Sequence, residues 1–140
     1  MRSNEAEIER RVPSNARKNF YSLGESLVKV EHFIFCGIDI NPIHVRVVVI
    51  KKGDTHYAHF GVAITNISKD KYCRKIGHRV AMGRALHSAA TWGNDVGLTI
   101  DADVIAAPFG ECRDVLREMA RNEAVNRLNN IITKVNHCDK

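Results

Sequence analysis

The stretch Val45-Arg46-Val47-Val48-Val49-Ile50-Lys51, followed by Lys52-Gly53-Asp54 and then by His56-Tyr57-Ala58-His59-Phe60-Gly61-Val62-Ala63-Ile64, decides the reading of this chain. The first seven residues are rich in β-branched types and read as a strand, and the Lys-Gly-Asp turn folds it back onto a second one. In that second strand Tyr57, His59, Gly61 and Ala63 face one way, and Ala58, Phe60, Val62 and Ile64 the other. Just upstream, Phe33 to Ile40 reads as a further strand, with Asn41-Pro42 as the turn between. The three make an antiparallel meander.

Downstream, Ser68 is placed to N-cap a long helix from Lys69 to about Ala90, ended by Gly93 and Asn94. Tyr72, Ile76, Val80 and Gly83 recur at helical spacing and predict the stripe that packs on the sheet, with Lys71, Arg74, Lys75, His78 and Arg79 on the other side. Leu98 to Ala107 predicts a short strand carrying Asp101 and Asp103 on one face, before Pro108-Phe109-Gly110 opens a second helix from Glu111 to about Val135. Upstream, residues 1–31 are polar, with a loose first dozen and a short amphipathic helix carrying Phe20, Tyr21, Leu23, Leu27, Val28 and Val30. The expected fold class is α+β: an antiparallel β-meander packed by a basic helix, plus a long C-terminal helix in an oligomer interface. Residues 32–140 form the single domain and residues 1–31 a polar, partly flexible segment.

A chain of 140 residues suits one domain with one core, and 44% apolar with 26% charged residues excludes collagenous and low-complexity classes. The longest uninterrupted aliphatic run is Val47 to Ile50, far short of the roughly 20 residues a membrane helix needs. The N-terminus, with Glu5, Glu7, Glu9, Arg10 and Arg11, has no apolar secretory stretch, so a cytoplasmic protein is expected. Cys36, Cys73, Cys112 and Cys138 show no CxxC spacing; they read as reduced, mostly buried thiols rather than zinc ligands.

The net charge of +5 is localised. Residues 69–87 carry Lys69, Lys71, Arg74, Lys75, Arg79 and Arg84 against Asp70 alone, while the other basic and acidic residues number 15 each. One basic segment on a neutral body points to a bounded anion site, with phosphate the natural partner, or to a solvated helix face. Arg84 lies away from the exposed lysines, beside Cys73, Gly77 and Ala81, and needs either an internal acid such as Asp101 or Asp103 or a ligand. Gly77 and Gly83 are each unfavourable inside a helix by about 1 kcal/mol relative to Ala, so they allow a close approach by another backbone or by a planar ligand.

In the last helix Arg117, Arg121, Ala124, Leu128, Ile131 and Val135 are spaced like a coiled-coil seam, and Val115, Leu116, Met119 and Ala120 form a second apolar stripe. One face suits the sheet and the other a neighbouring subunit, so a homo-oligomer is expected. Arg117 and Arg121 then either hold ligand phosphates between subunits or pair with Glu118 or Glu123 of the partner. No GxxxxGK[ST], GxGxxG, HExxH or GxSxG motif is present, and His56 and His59 point to opposite strand faces. No catalytic set, metal site or cofactor is expected, and the chain does not read as an enzyme.

Gly61-Val62-Ala63 followed by Asp70-Lys71-Tyr72-Cys73-Arg74-Lys75-Ile76-Gly77-His78-Arg79-Val80-Ala81-Met82-Gly83-Arg84-Ala85-Leu86 resembles a pattern of small phage-borne proteins, and the functional group attached to it is the Thoeris anti-defence sponge family. The resemblance covers about 26 residues, with Tyr72 in place of Phe and a long N-terminal segment as departures. It implies a phage protein in the host-cell cytoplasm that sequesters a small anionic nucleotide signal without cleaving it: a cyclic ADP-ribose isomer or a cyclic oligonucleotide, as in Thoeris or CBASS immunity. It further implies a homo-oligomer, from a dimer up to a hexamer. Its ligand site would use Arg74, Arg79, Arg84, Arg117 and Arg121, with Phe109, Tyr72 or Trp92 as the aromatics available to stack on a base, among which the sequence does not choose. The strand-strand-strand-helix order with its basic helix also resembles a double-stranded-RNA-binding domain, so nucleic acid is the second partner class, and an inhibitor of a host nuclease the third.

Overall fold

A computed structural model describes residues 12–37, 40–64, 73–92 and 96–138. The chain enters through a single 3-10 turn, Ser14–Ala16, and helix α1, Arg17–Leu23. Strands β1 (Leu27–Gly37), β2 (Ile40–Lys52) and β3 (Thr55–Ala63) follow, then helix α2 (Arg74–His87), which runs into a π-helical turn at Ser88–Trp92. A short strand β4 (Leu98–Ile100), a five-residue helix α3 (Ala102–Ala106) and a 30-residue helix α4 (Phe109–Cys138) complete it. The expected α+β class is what forms.

The sheet is antiparallel throughout in the order β1-β2-β3-β4. Gly53, at φ 61°, takes the left-handed conformation that the β2–β3 turn demands. Strand β2 is central and buried on both faces, which explains its nearly unbroken aliphatic run. Val45, Val47 and Val49 project to one side and join Phe33, Ala58, Val62 and Ile100 under Cys112, Leu116, Ala120 and Ala124 of α4. Val48 and Ile50 project to the other and meet Met82, Ala85, Leu86 and Ala89, with Val12, Ala16 and Leu23 from the chain start. The molecule is three layers: α4, sheet, and α2 with α1.

Several expected elements are displaced. Strand β1 begins at Leu27 rather than Phe33, taking up Val28 and Val30 that were expected in a helix, and Asn41 and Pro42 continue β2 instead of forming a turn. Only Leu98–Ile100 of the expected strand exists; Asp101 precedes α3 and Asp103 lies inside it, both exposed. The largest correction concerns α2. Ile76 is 58% and Val80 37% exposed, and the residues against the sheet are Gly77, Ala81, Met82, Ala85 and Leu86. Small side chains bring helix and sheet closer than Ile or Val would allow: a Cβ on Gly61 would collide with the Ala81 carbonyl and the Ala85 amide.

On α4 the two expected stripes merge, since Leu116 and Ala120 of one and Ala124 of the other are buried together while Val115 is exposed. The expected Ser68 cap, with Lys69, Lys71 and Tyr72, lies outside the described residues, as do Gly93, Asn94 and the side chains of Ile131, Val135 and Cys138. The described cysteines are free, but Cys36 and Cys73 are exposed and only Cys112 is buried, so the expectation of mostly buried thiols fails for that pair. Among the described residues no helix is long and apolar enough to cross a membrane.

Candidate functional site

Two hollows adjoin α2, one beside the chain start and one at the edge of the sheet. The first, about 850 Å³, lies between α2 and the chain start, and its cationic lining is Arg17, Lys75, Arg79 and Arg84 with His78 at one end. Its apolar wall is Val12, Ile76 and Val80. This wall gives the exposed aliphatics of α2 a place: they border a cavity instead of the sheet. A negative ligand group entering this hollow meets attraction from Arg17, Lys75, Arg79 and Arg84.

The second hollow, about 630 Å³, sits where the sheet runs out of strands. Strand β4 pairs only with His56–Ala58, which leaves the rest of β3 without a neighbouring strand on that side among the described residues. Arg84 reaches over this edge and donates from Nη1 to the Val62 carbonyl at 2.5 Å. The sequence offered Asp101 or Asp103 as its partner; the structure supplies a strand-edge carbonyl instead. A guanidinium carries five N–H donors, so Arg84 keeps others for a ligand. His87, Arg127 and Glu123 also line this hollow, with Phe60, Val96 and Leu98 as apolar surface. At its floor His59 Nδ1 and Ser88 Oγ are hydrogen-bonded at 2.9 Å, which ties the π-helical turn to β3.

A third hollow, about 410 Å³, lies on the opposite face of the sheet between the β1–β2 hairpin end and α4. Arg117 and Arg121 line it with Ile34, Phe35, Cys36 and Leu128. One turn earlier on α4, Arg113 forms an ion pair with the buried Glu31 and stacks its guanidinium 4.5 Å over the Phe33 ring, while the Arg121 guanidinium lies 5.8 Å from the Phe35 ring.

Under the start of α2 a histidine cluster joins the two sheet strands to the helix. His32 Nε2 and His44 Nδ1 are 3.0 Å apart, one donating and the other accepting, and the His78 ring meets His32 edge-on with centroids 4.4 Å apart. Burial, then the charge of Arg46, then His78, His44 and Arg74, hold His32 down to about 3. Burial and then Arg74 lower His44 as well. Gly77 belongs to this contact, because a Cβ there would sit 2.6 Å from the His44 ring. Among the described residues no group of three His, Cys, Asp or Glu is arranged to hold a metal.

The expected site residues thus fall in three places. Arg79 and Arg84 share the first hollow, Arg74 stands over the histidine cluster, and Arg117 and Arg121 share the third hollow behind the sheet. The side chain of Phe109 lies outside the described residues. Arg17 and Arg127 were not singled out by sequence, since neither falls in the basic segment nor on an apolar stripe. No family model, curated protein or solved structure matches the chain.

Proposed function

We propose that the protein is a phage-encoded anti-defence protein that binds a cyclic nucleotide immune signal, a cyclic ADP-ribose isomer or a cyclic oligonucleotide, and sequesters it without cleaving it. The first hollow carries this reading. Arg17, Lys75, Arg79 and Arg84 supply charge-assisted donors for phosphate, and Val12, Ile76 and Val80 supply an apolar surface for a base or ribose, in a volume within the roughly 300–1,000 Å³ of small-molecule sites. A strip of lysines for a nucleic-acid backbone would not need such a concave apolar wall. Four cationic side chains gathered on one apolar wall are what holding an anionic nucleotide requires, and that supports sequestration as the reading.

The test is calorimetric titration with cyclic ADP-ribose isomers and with cyclic di- and trinucleotides, followed by denaturation and chromatography of the released ligand. Micromolar or tighter binding with the ligand recovered intact, lost at least tenfold in Arg79→Ala with Arg84→Ala, supports the reading. Steady conversion of the ligand, or no nucleotide binding combined with salt-sensitive affinity for duplex RNA, overturns it.

A further inference from the structure

The two hollows beside α2 share Gly83 and Arg84 in their linings. Gly83 sits inside a 14-residue helix, where it disfavours helix formation, yet among the described residues a Cβ at this position would meet nothing within 4 Å. Gly61 and Gly77 are explained by a backbone or ring pressed against them; Gly83 is not. What a side chain at Gly83 would enter is the open space where the two hollows adjoin. Packing therefore gives no reason for the residue, whereas a ligand crossing the helix at that point does.

The chemistry repeats on either side of the crossing. Of the eight large hydrophobic side chains exposed among the described residues, Ile76 and Val80 border the first hollow and Val96 and Leu98 the second, so half of that exposed apolar surface faces this one groove. Lys75 and Arg79 line the first hollow, His87 and Arg127 the second, and Arg84 both. Each hollow alone has the volume for a mononucleotide. Two apolar walls alternating with two cationic ends suit a ligand with two phosphoryl groups held apart by intervening rings.

Resting on the nucleotide-binding reading above, we infer that Gly83 is a saddle joining the two hollows into one groove, and that the groove takes a single ligand with two separated phosphates, one at Lys75 and Arg79 and the other at Arg84 and Arg127. A ligand whose two phosphates adjoin would fill one end only. Glu123, on the Arg127 side, is an acceptor for a base amine or ribose hydroxyl and disfavours a third phosphate there.

The probes are cyclic di-AMP, with its phosphates across the ring from each other, cyclic ADP-ribose, with adjoining phosphates, and 5′-AMP, titrated into the full chain. The wild-type protein should bind cyclic di-AMP at least tenfold tighter than either other probe, and Arg79→Ala and Arg127→Ala should each weaken it at least fivefold. Gly83→Ala should raise the melting temperature by about 2–6 °C, showing that the fold accepts a side chain there. Gly83→Leu, folded by the same melting criterion, should weaken cyclic di-AMP at least tenfold. Unchanged cyclic di-AMP binding in Gly83→Leu, or a preference for cyclic ADP-ribose, overturns the saddle while the nucleotide-binding function stands. If neither these probes nor the wider set of cyclic nucleotides above binds, the function falls and the saddle falls with it.

Discussion

His32 is a residue whose neighbours decide its protonation, and through it the response of the fold to acid. Arg46 from β2 and Arg74 from α2 are permanent cations, His44 and His78 are further potential ones, and burial adds to them, so the folded chain holds His32 neutral down to about pH 3. Unfolded, the same imidazole takes a proton near 6.5. Above that pH neither state binds the proton and His32 leaves stability unchanged; between about 6.5 and 3 only the unfolded chain binds it, so stability drains as the pH falls. Melting curves of the wild type and of His32→Gln at pH 7.5 and pH 4.5 should show the wild type losing more than the variant. A gap between the two proteins that stays the same at both pH values would mean that His32 does not hold this role. A second residue-scale outcome concerns Gly61. Because its added Cβ would strike α2 backbone rather than a movable side chain, Gly61→Ala should cost roughly 1–3 kcal/mol or more, read as a lower urea midpoint.

At the scale of elements the β2–β3 hairpin was legible and α2 was only partly so. A β-branched run, a Lys-Gly-Asp turn and a strand of period two leave one register, and the observed pairing of Lys52 with Thr55 through to His44 with Ala63 follows from it. For α2 the presence of a helix with a basic exposed side was readable, but its rotation was not. Helical-wheel logic assigns the largest aliphatics, Ile76 and Val80, to the sheet, whereas here closeness of approach wins and Gly77, Ala81 and Ala85 take that place. The same preference for size over proximity hid the first hollow, whose apolar wall is made of those displaced aliphatics and of Val12 from a segment expected to be loose. Arg117 and Arg121 were correctly read as neighbours, yet the sheet that separates them from Arg79 and Arg84 is a property of the layering and not of any local pattern. On α4, Leu116 is wholly buried against the β-branched face of β2, so Leu116→Ala should cost about 2–5 kcal/mol, seen in chemical denaturation. An unchanged midpoint would mean that α4 is not docked as described.

At the scale of the whole molecule, α4 is the longest element: thirty residues at about 1.5 Å each span about 45 Å, and its buried positions among the described residues run from Cys112 to Ala124. The helix also carries Leu128, Ile131 and Val135 at seam spacing in the sequence, and an amphipathic helix gains most of its stability by packing its apolar face. Self-association through α4 would pack that face, cover the third hollow and turn Arg117 and Arg121 into interface residues. Native mass spectrometry at micromolar concentration is therefore expected to give a homo-oligomer. Leu128→Glu should shift it toward monomer with the melting temperature set by the core nearly kept. Arg117→Ala with Arg121→Ala then separates two roles for the third hollow. If nucleotide binding falls in the double variant while the oligomer persists, those arginines hold ligand phosphate between subunits. Should the oligomer dissociate with nucleotide binding intact, they serve the interface alone and the groove beside α2 is the whole site. A full-length chain that stays monomeric at all concentrations rules out the assembly.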